Sequence, residues 1–129
     1  MKEPSVKVVV YTSSSWSASN PYPGKVYHID AKLWNEEAIS HAWDPPPYDA
    51  ARIMPVYAAS KALAEKACWE WVEKNKPDFS FNTVLPAANF GKIVDIEHQG
   101  YPSTIAWVKD LFLGVVNIQP FVPPREHDH

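Results

Sequence analysis

The chain has 129 residues, 46% of them hydrophobic, and a formal net charge of −3. That length suits one small domain with a single core, and the composition argues against disorder. The weak negative charge provides no global basic field for nucleic acid or an anionic membrane, and no apolar run approaches the roughly 20 residues that span a bilayer.

The opening "MKEPSVKVVVY" lacks the long apolar stretch and small-residue cleavage site of a signal peptide. Cys68 is the single cysteine, so an internal disulfide is excluded and a reducing compartment is suited. Together these features predict a soluble, cytoplasmic chain. Four glycines stand against thirteen prolines. Neither G-x-G-x-x-G nor G-x-x-x-x-G-K-[ST] occurs, so no phosphate-cradling loop is read.

"SVKVVVYTS" (5–13) is β-branched and predicts a strand. Its near-continuous apolar centre, Val8 to Tyr11, suits a strand buried on both faces of a parallel sheet. "SSSWSASNPYPG" (13–24) stops it, and "VYHID" (26–30) reads as a short extended piece. "KLWNEEAISHAW" (32–43) has near-helical apolar spacing and predicts a short helix. The prolines of "DPPPYD" (44–49) exclude a helix interior there.

"PVYAASKALAEKACWEWVEKNK" (55–76) predicts the longest helix. Pro55 fits its first turn, good helix formers fill it, and Pro77 ends it. Two stripes run along it, one through Tyr57, Lys61, Ala64, Cys68 and Trp71, the other through Val56, Ala59, Leu63, Ala67 and Trp71. "FSFNTVLP" (79–86) predicts a second strand. Strand, connection with helix, strand is a βαβ crossover and predicts a parallel pair. "STIAWVKDLFLG" (103–114) predicts another helix with Ser103 as N-cap.

Tyr57 and Lys61 lie four residues apart, on one helical face. A nearby ammonium favours a phenolate, which suits the phenol to exchange a proton near neutral pH. Ala58, Ala59 and Ser60 between them are small, so a ligand can come close. With six tyrosines in the chain, such a pair also arises by chance. Its neighbours add weight. In a parallel α/β sheet, ligands sit beyond the carboxyl ends of the strands. Ser13 to Ser15 follow the first strand there, and "LPAANFG" (85–91) follows the second. A serine run after a strand is also ordinary turn chemistry.

"VVVYTSSS", "YAASKALAEKACWEWV" and "NTVLPAANFG", in this order, resemble the extended short-chain dehydrogenase/reductase family. The resemblance runs from about Lys2 to about Phe112 and is nearest to fungal aldehyde and ketone reductases, related to dihydroflavonol reductases. It implies a partial Rossmann-like, doubly wound parallel α/β sheet, with NADP or NAD as cofactor and a small-molecule carbonyl as substrate. It further implies that Ser14 holds the substrate carbonyl, that Tyr57 protonates it, and that Lys61 assists Tyr57 and bonds the nicotinamide ribose. By the same resemblance Pro86 and Ala87 lie against the nicotinamide, and Asn89 and Phe90 line the substrate site. The 55–76 helix is implied as a dimer contact.

The family's Gly-rich strand and turn, which hold the dinucleotide pyrophosphate, are not in this sequence. The chain therefore reads as a truncated slice of a longer protein. Residues 1–114 would be the catalytic portion of an NAD(P)-binding domain and 115–129 a divergent, flexible tail. Poor dinucleotide affinity is expected of such a piece alone. With two strands, an apolar edge is left unpaired, which favours aggregation. A non-catalytic remnant that pairs with a full-length relative is the alternative, and a cofactor-free lyase or isomerase using Tyr57 is a third reading. His28, His41 and His98 are scattered. The tail histidines His127 and His129, beside Glu126 and Asp128, read as solvated rather than metal-binding. Adjacent Glu36 and Glu37 read as surface charge, and Cys68 as core packing.

Overall fold

Two short strands and a long helix between them organise most of the chain. A computed structural model describes residues 4–22 and 24–115. In order the elements are β1 (Val8–Thr12), α1 (Glu36–Ala42), α2 (Ile53–Asn75), β2 (Ser80–Val84), α3 (Ile96–Gln99) and α4 (Ser103–Phe112), with 3-10 turns at Ser15–Ser17 and Ala50–Arg52. The chain forms two compact units that divide between Ala87 and Ala88. The predicted tail lies outside the described residues beyond Val115.

β1 and β2 pair in parallel, in register from Val8 with Ser80 to Thr12 with Val84. The crossover expected from the sequence is therefore present. In-register parallel neighbours point to the same face. Val9, Tyr11, Phe81 and Thr83 are half-buried on one face, and α2 covers it. The Trp69 indole meets the Phe81 ring edge-on with centroids 4.8 Å apart. The other face is open. Val8 is 57% exposed and Val10 55%. The expectation of a strand buried on both faces is thus corrected, because helix cover reaches one side only. The 26–30 stretch forms no strand, and Val26, Tyr27 and Ile29 are exposed.

α1 begins at Glu36 rather than 32 because the Asn35 side chain caps it, accepting from Ala38 N–H at 3.0 Å. α2 has no side-chain cap of its own. The preceding turn does that work, with Asp49 accepting from Ala51 N–H at 3.0 Å. At its other end Lys76 turns left-handed (φ 43°) and returns its N–H to Val72 O at 2.8 Å, before Pro77. Phe79 then stacks on Trp71.

The buried core of the first unit is made of small residues. Ala38 comes from α1, Ala58, Ala59 and Ala62 from α2, and Ser17 and Ala18 from the turn after β1. Small side chains let these backbones approach closely. The helix buries this row together with Glu65, while Val56, Leu63 and Trp71 face outward. Ala62 has no exposed surface. Ala62→Leu should therefore destabilise by about 1–3 kcal/mol through overpacking. Urea unfolding checks this, with exposed Ala64→Leu as the control that should stay near wild type.

In the second unit Asp95 caps α3, accepting from His98 N–H at 3.1 Å. Bonds from the His98 ring and backbone hold its carboxyl below the usual carboxylate range. Pro102, not Ser103, takes the cap position of α4, since proline's fixed φ already suits a helix start. Ser103 is the first helical residue.

Candidate active site

The site grows from the carboxyl ends of the two strands. The parallel ladder continues past them. Ser13 N–H donates to Val84 O and Ser15 N–H to Pro86 O, each at 2.9 Å. The serine run and the 84–86 segment thus lie side by side. Ser14 is extended (φ −155°, ψ 151°) and buried, and its Oγ accepts from Trp16 N–H at 3.3 Å. That bond starts the 3-10 turn. The turn is anchored beneath by the Ser17 hydroxyl, whose Oγ lies 2.8 Å from Ser14 O and 3.1 Å from Glu65 Oε2. Ser13 Oγ is buried and has no hydrogen-bond partner among the described residues.

α2 supplies the other side. Tyr57 and Lys61 project from one face, a single turn apart. The Lys61 ammonium reaches off the helix and donates to Thr12 O, the last carbonyl of β1, at 3.3 Å. It sits 6.0 Å from the Tyr57 ring centroid and 5.9 Å from that of Tyr11. Lys61 therefore ties the helix to the strand end that carries Ser14. Tyr57 is 40% exposed. Tyr11, under the same ammonium, has its phenol pushed up by burial, then by Cys68, Glu65 and Tyr57. It stays a neutral phenol at ordinary pH. Tyr57 also lines a cleft of about 680 Å³ between the end of α1 and the start of α2.

Of the residues predicted from the sequence, Lys61 reaches the end of β1 at Thr12, two residues before Ser14, and Tyr57 stands one helical turn from Lys61. Pro86 is half-buried beside Ser15, and Ala87 follows it, exposed. Asn89 and Phe90 belong to the second unit. There Asn89 O accepts from the Thr104 hydroxyl at 2.6 Å, and Phe90 is 62% exposed. No group of three metal-ligating side chains forms among the described residues. No described helix is long and apolar enough to cross a membrane.

Two supporting residues escaped the sequence reading. Asn35 is buried and spans the 3-10 turn and α1, with Nδ2 donating to Trp16 O at 2.9 Å and to Asn20 Oδ1 at 2.7 Å. Its place before Glu36 and Glu37 was a readable N-cap signal. Glu65 gave none, because a glutamate within a helix reads as solvated and its partner Ser17 is 48 positions away.

The segment is similar to known reductases. An NAD-dependent epimerase/dehydratase of Aspergillus terreus is 46% identical, over 86% of this chain and 32% of the relative. Aldehyde reductase 2 of Sporidiobolus salmonicolor is 44% identical, over 95% of this chain and 36% of the relative. A solved reductase structure superposes with a TM-score of 0.61 at 29% identity, over 83% of this chain and 31% of that one. No protein-family profile matches the chain. The chain spans about a third of the length of the curated relatives it matches. Its α/β fold is accordingly a part of a Rossmann-like parallel sheet.

Proposed function

We propose that the chain, similar over most of its length to an NAD-dependent epimerase/dehydratase and an aldehyde reductase, is a segment of the extended short-chain dehydrogenase/reductase family and carries the proton-transfer centre of an NAD(P)-dependent aldehyde or ketone reductase. One observation carries the reading. Lys61 reaches from α2 to Thr12 O, which brings the Tyr57–Lys61 face to the strand end that presents Ser14.

In this reading the Ser14 hydroxyl donates to the substrate carbonyl oxygen, and Tyr57 gives that oxygen its proton. Nζ of Lys61 has three donors, and one is bonded to Thr12 O. The others remain to bind the nicotinamide ribose. The partnerless Ser13 hydroxyl is a further polar group at this strand end. Pro86 and Ala87 would lie along the nicotinamide. When bound, the nicotinamide supplies the hydride. The groups that would meet such a cofactor are the Lys61 ammonium, bonded at the end of β1, and the accessible Tyr57 phenol one helical turn away.

Two experiments test this. The chain is titrated with NADPH, and residues 4–115 are exchanged for the homologous third of a full-length relative. The chimera should reduce an aldehyde with NADPH. Lys61→Ala should lower kcat/KM by about 10²–10³-fold, the scale of losing one positioned proton-transfer partner, and weaken NADPH binding. A folded, NADPH-binding chimera with no reductase activity, or with activity indifferent to Lys61→Ala, would overturn the proposal.

A further inference from the structure

α2 carries one buried carboxyl that the proton-transfer centre leaves unused, that of Glu65. We propose that Glu65 is a positioning residue, which fixes the Ser14 hydroxyl relative to Tyr57 by holding Ser17 from the helix. Its effect on catalysis rests on the reductase reading above; its effect on the turn does not.

Glu65 is 4% exposed and is the only buried charged residue among those described. The rest of the buried row on α2 is Ala58, Ala59 and Ala62. Taking a carboxyl out of water is costly unless hydrogen bonds hold it. Packing alone would be served by an apolar side chain like its neighbours. The bond Glu65 makes is to the Ser17 hydroxyl at 3.1 Å, and Ser17 has no exposed surface. The lysines nearest to it along the helix are engaged elsewhere, Lys61 with Thr12 O and Lys66 with Glu36. The carboxyl is therefore committed to the turn after β1.

Tyr57, Lys61 and Glu65 recur every fourth residue, so successive turns of α2 present them along one side. Two of the three grip the chain around Ser14. Lys61 bonds Thr12 O, before Ser14, and Glu65 faces the hydroxyl of Ser17, after it. Ser17 in turn meets Ser14 O twice, through its N–H at 2.9 Å and through its Oγ at 2.8 Å. The Ser14 Oγ then accepts from Trp16 N–H inside the same turn. A continuous path runs from α2 through Glu65 and Ser17 to Ser14. After burial and Cys68, Glu65 also helps to push the Tyr11 phenol up, which puts its carboxyl within electrostatic reach of β1. The helix that carries Tyr57 thus holds Ser14 from both sides, and the spacing of hydroxyl and phenol is set by α2 itself. Without Glu65 the turn keeps its strand ladder, Ser13 N–H to Val84 O and Ser15 N–H to Pro86 O, but loses this bond to the helix.

The turn is tested in the full chain by amide hydrogen exchange. Glu65→Leu keeps most of the volume and removes the bond. It should speed exchange of the Trp16 and Ser17 N–H groups at least about ten-fold, while the amides of Cys68 to Trp71 on α2 stay within about three-fold. Ser17→Ala removes the hydroxyl from the other side and should speed Trp16 exchange likewise; it carries the test if Glu65→Leu does not fold. Glu65→Gln keeps an acceptor and gains a donor, so it should stay within about three-fold of wild type. Catalysis is tested in the chimera. There Glu65→Leu should lower kcat/KM for the aldehyde by about 10–10²-fold, the scale of a misplaced catalytic group, with NADPH affinity within about two-fold of wild type. Glu65→Gln should recover activity to within about five-fold. In a Ser17→Ala chimera, adding Glu65→Leu should take away no more than about two-fold, because the shared bond is already gone. Unchanged Trp16 exchange in the folded variants, a glutamine as damaging as leucine, or a loss that falls on NADPH binding would overturn the proposal. The expected exchange pattern in a chain whose unmutated chimera is inactive would support the hold on Ser14 and remove the reductase reading alone.

Discussion

Tyr57→Phe should cut carbonyl reduction by about 10³-fold or more in the chimera, with the fold intact. The substitution removes one hydroxyl and nothing else. Proton donation to a reacting oxygen by a positioned group contributes roughly 10²–10⁴-fold, and Tyr57 is the phenol that lines the cleft beside Lys61. Stability should move by less than about 0.5 kcal/mol, as for surface changes away from core features, since Tyr57 is 40% exposed. NADPH and ketone affinities should change little. The loss should therefore fall on kcat and leave KM nearly unmoved, which separates a proton donor from a residue that merely packs. Tyr11→Phe is the control. Its phenol lies under the same ammonium but is pushed up by burial and by Cys68, Glu65 and Tyr57. It should keep most of the activity. Full activity in Tyr57→Phe, or an equal loss in Tyr11→Phe, would move the proton donor elsewhere.

The sequence exposed the helix that carries this pair because every local signal agreed. Pro55 sits in the first turn, helix formers fill the middle and Pro77 closes the end. The 55–76 reading differs from Ile53–Asn75 by two residues at one end and one at the other. The strands were legible as β-branched runs, but their ladders are shorter, because pairing needs a partner residue opposite and composition does not supply one. Burial was misread for the same reason. Val8 and Val10 are as apolar as Val9, and only packing decides which face α2 covers. At the site, helical periodicity put Tyr57 beside Lys61, whereas the bond from Lys61 to Thr12 O joins positions 49 apart. The cleft was invisible for a related reason. Trp43, Tyr48 and Arg52 frame the proline-rich connection, and its prolines announced only the absence of a helix.

Asn35→Ala should cost about 2–4 kcal/mol of unfolding free energy, combining a lost helix cap with buried hydrogen bonds left unmade. Asn35 is 4% exposed and works in three directions. Its Oδ1 caps α1 through Ala38 N–H. Its Nδ2 satisfies Trp16 O and Asn20 Oδ1, and its own backbone N–H donates to Ser17 O at 2.9 Å. Alanine keeps only the last of these. Asn35→Asp restores the cap oxygen but turns an acceptor toward Trp16 O and Asn20 Oδ1, so it should recover only part of the loss. The consequence for the site follows from position. Trp16 N–H is the group that Ser14 Oγ binds, and Trp16 O is the group that Asn35 holds. Freeing that carbonyl loosens the turn that fixes the Ser14 hydroxyl. In the chimera, Asn35→Ala should therefore lower kcat/KM as well as the urea midpoint. Asn35→Ala unfolding within about 0.5 kcal/mol of wild type, the range of an ordinary surface change, would show that the turn stands without it.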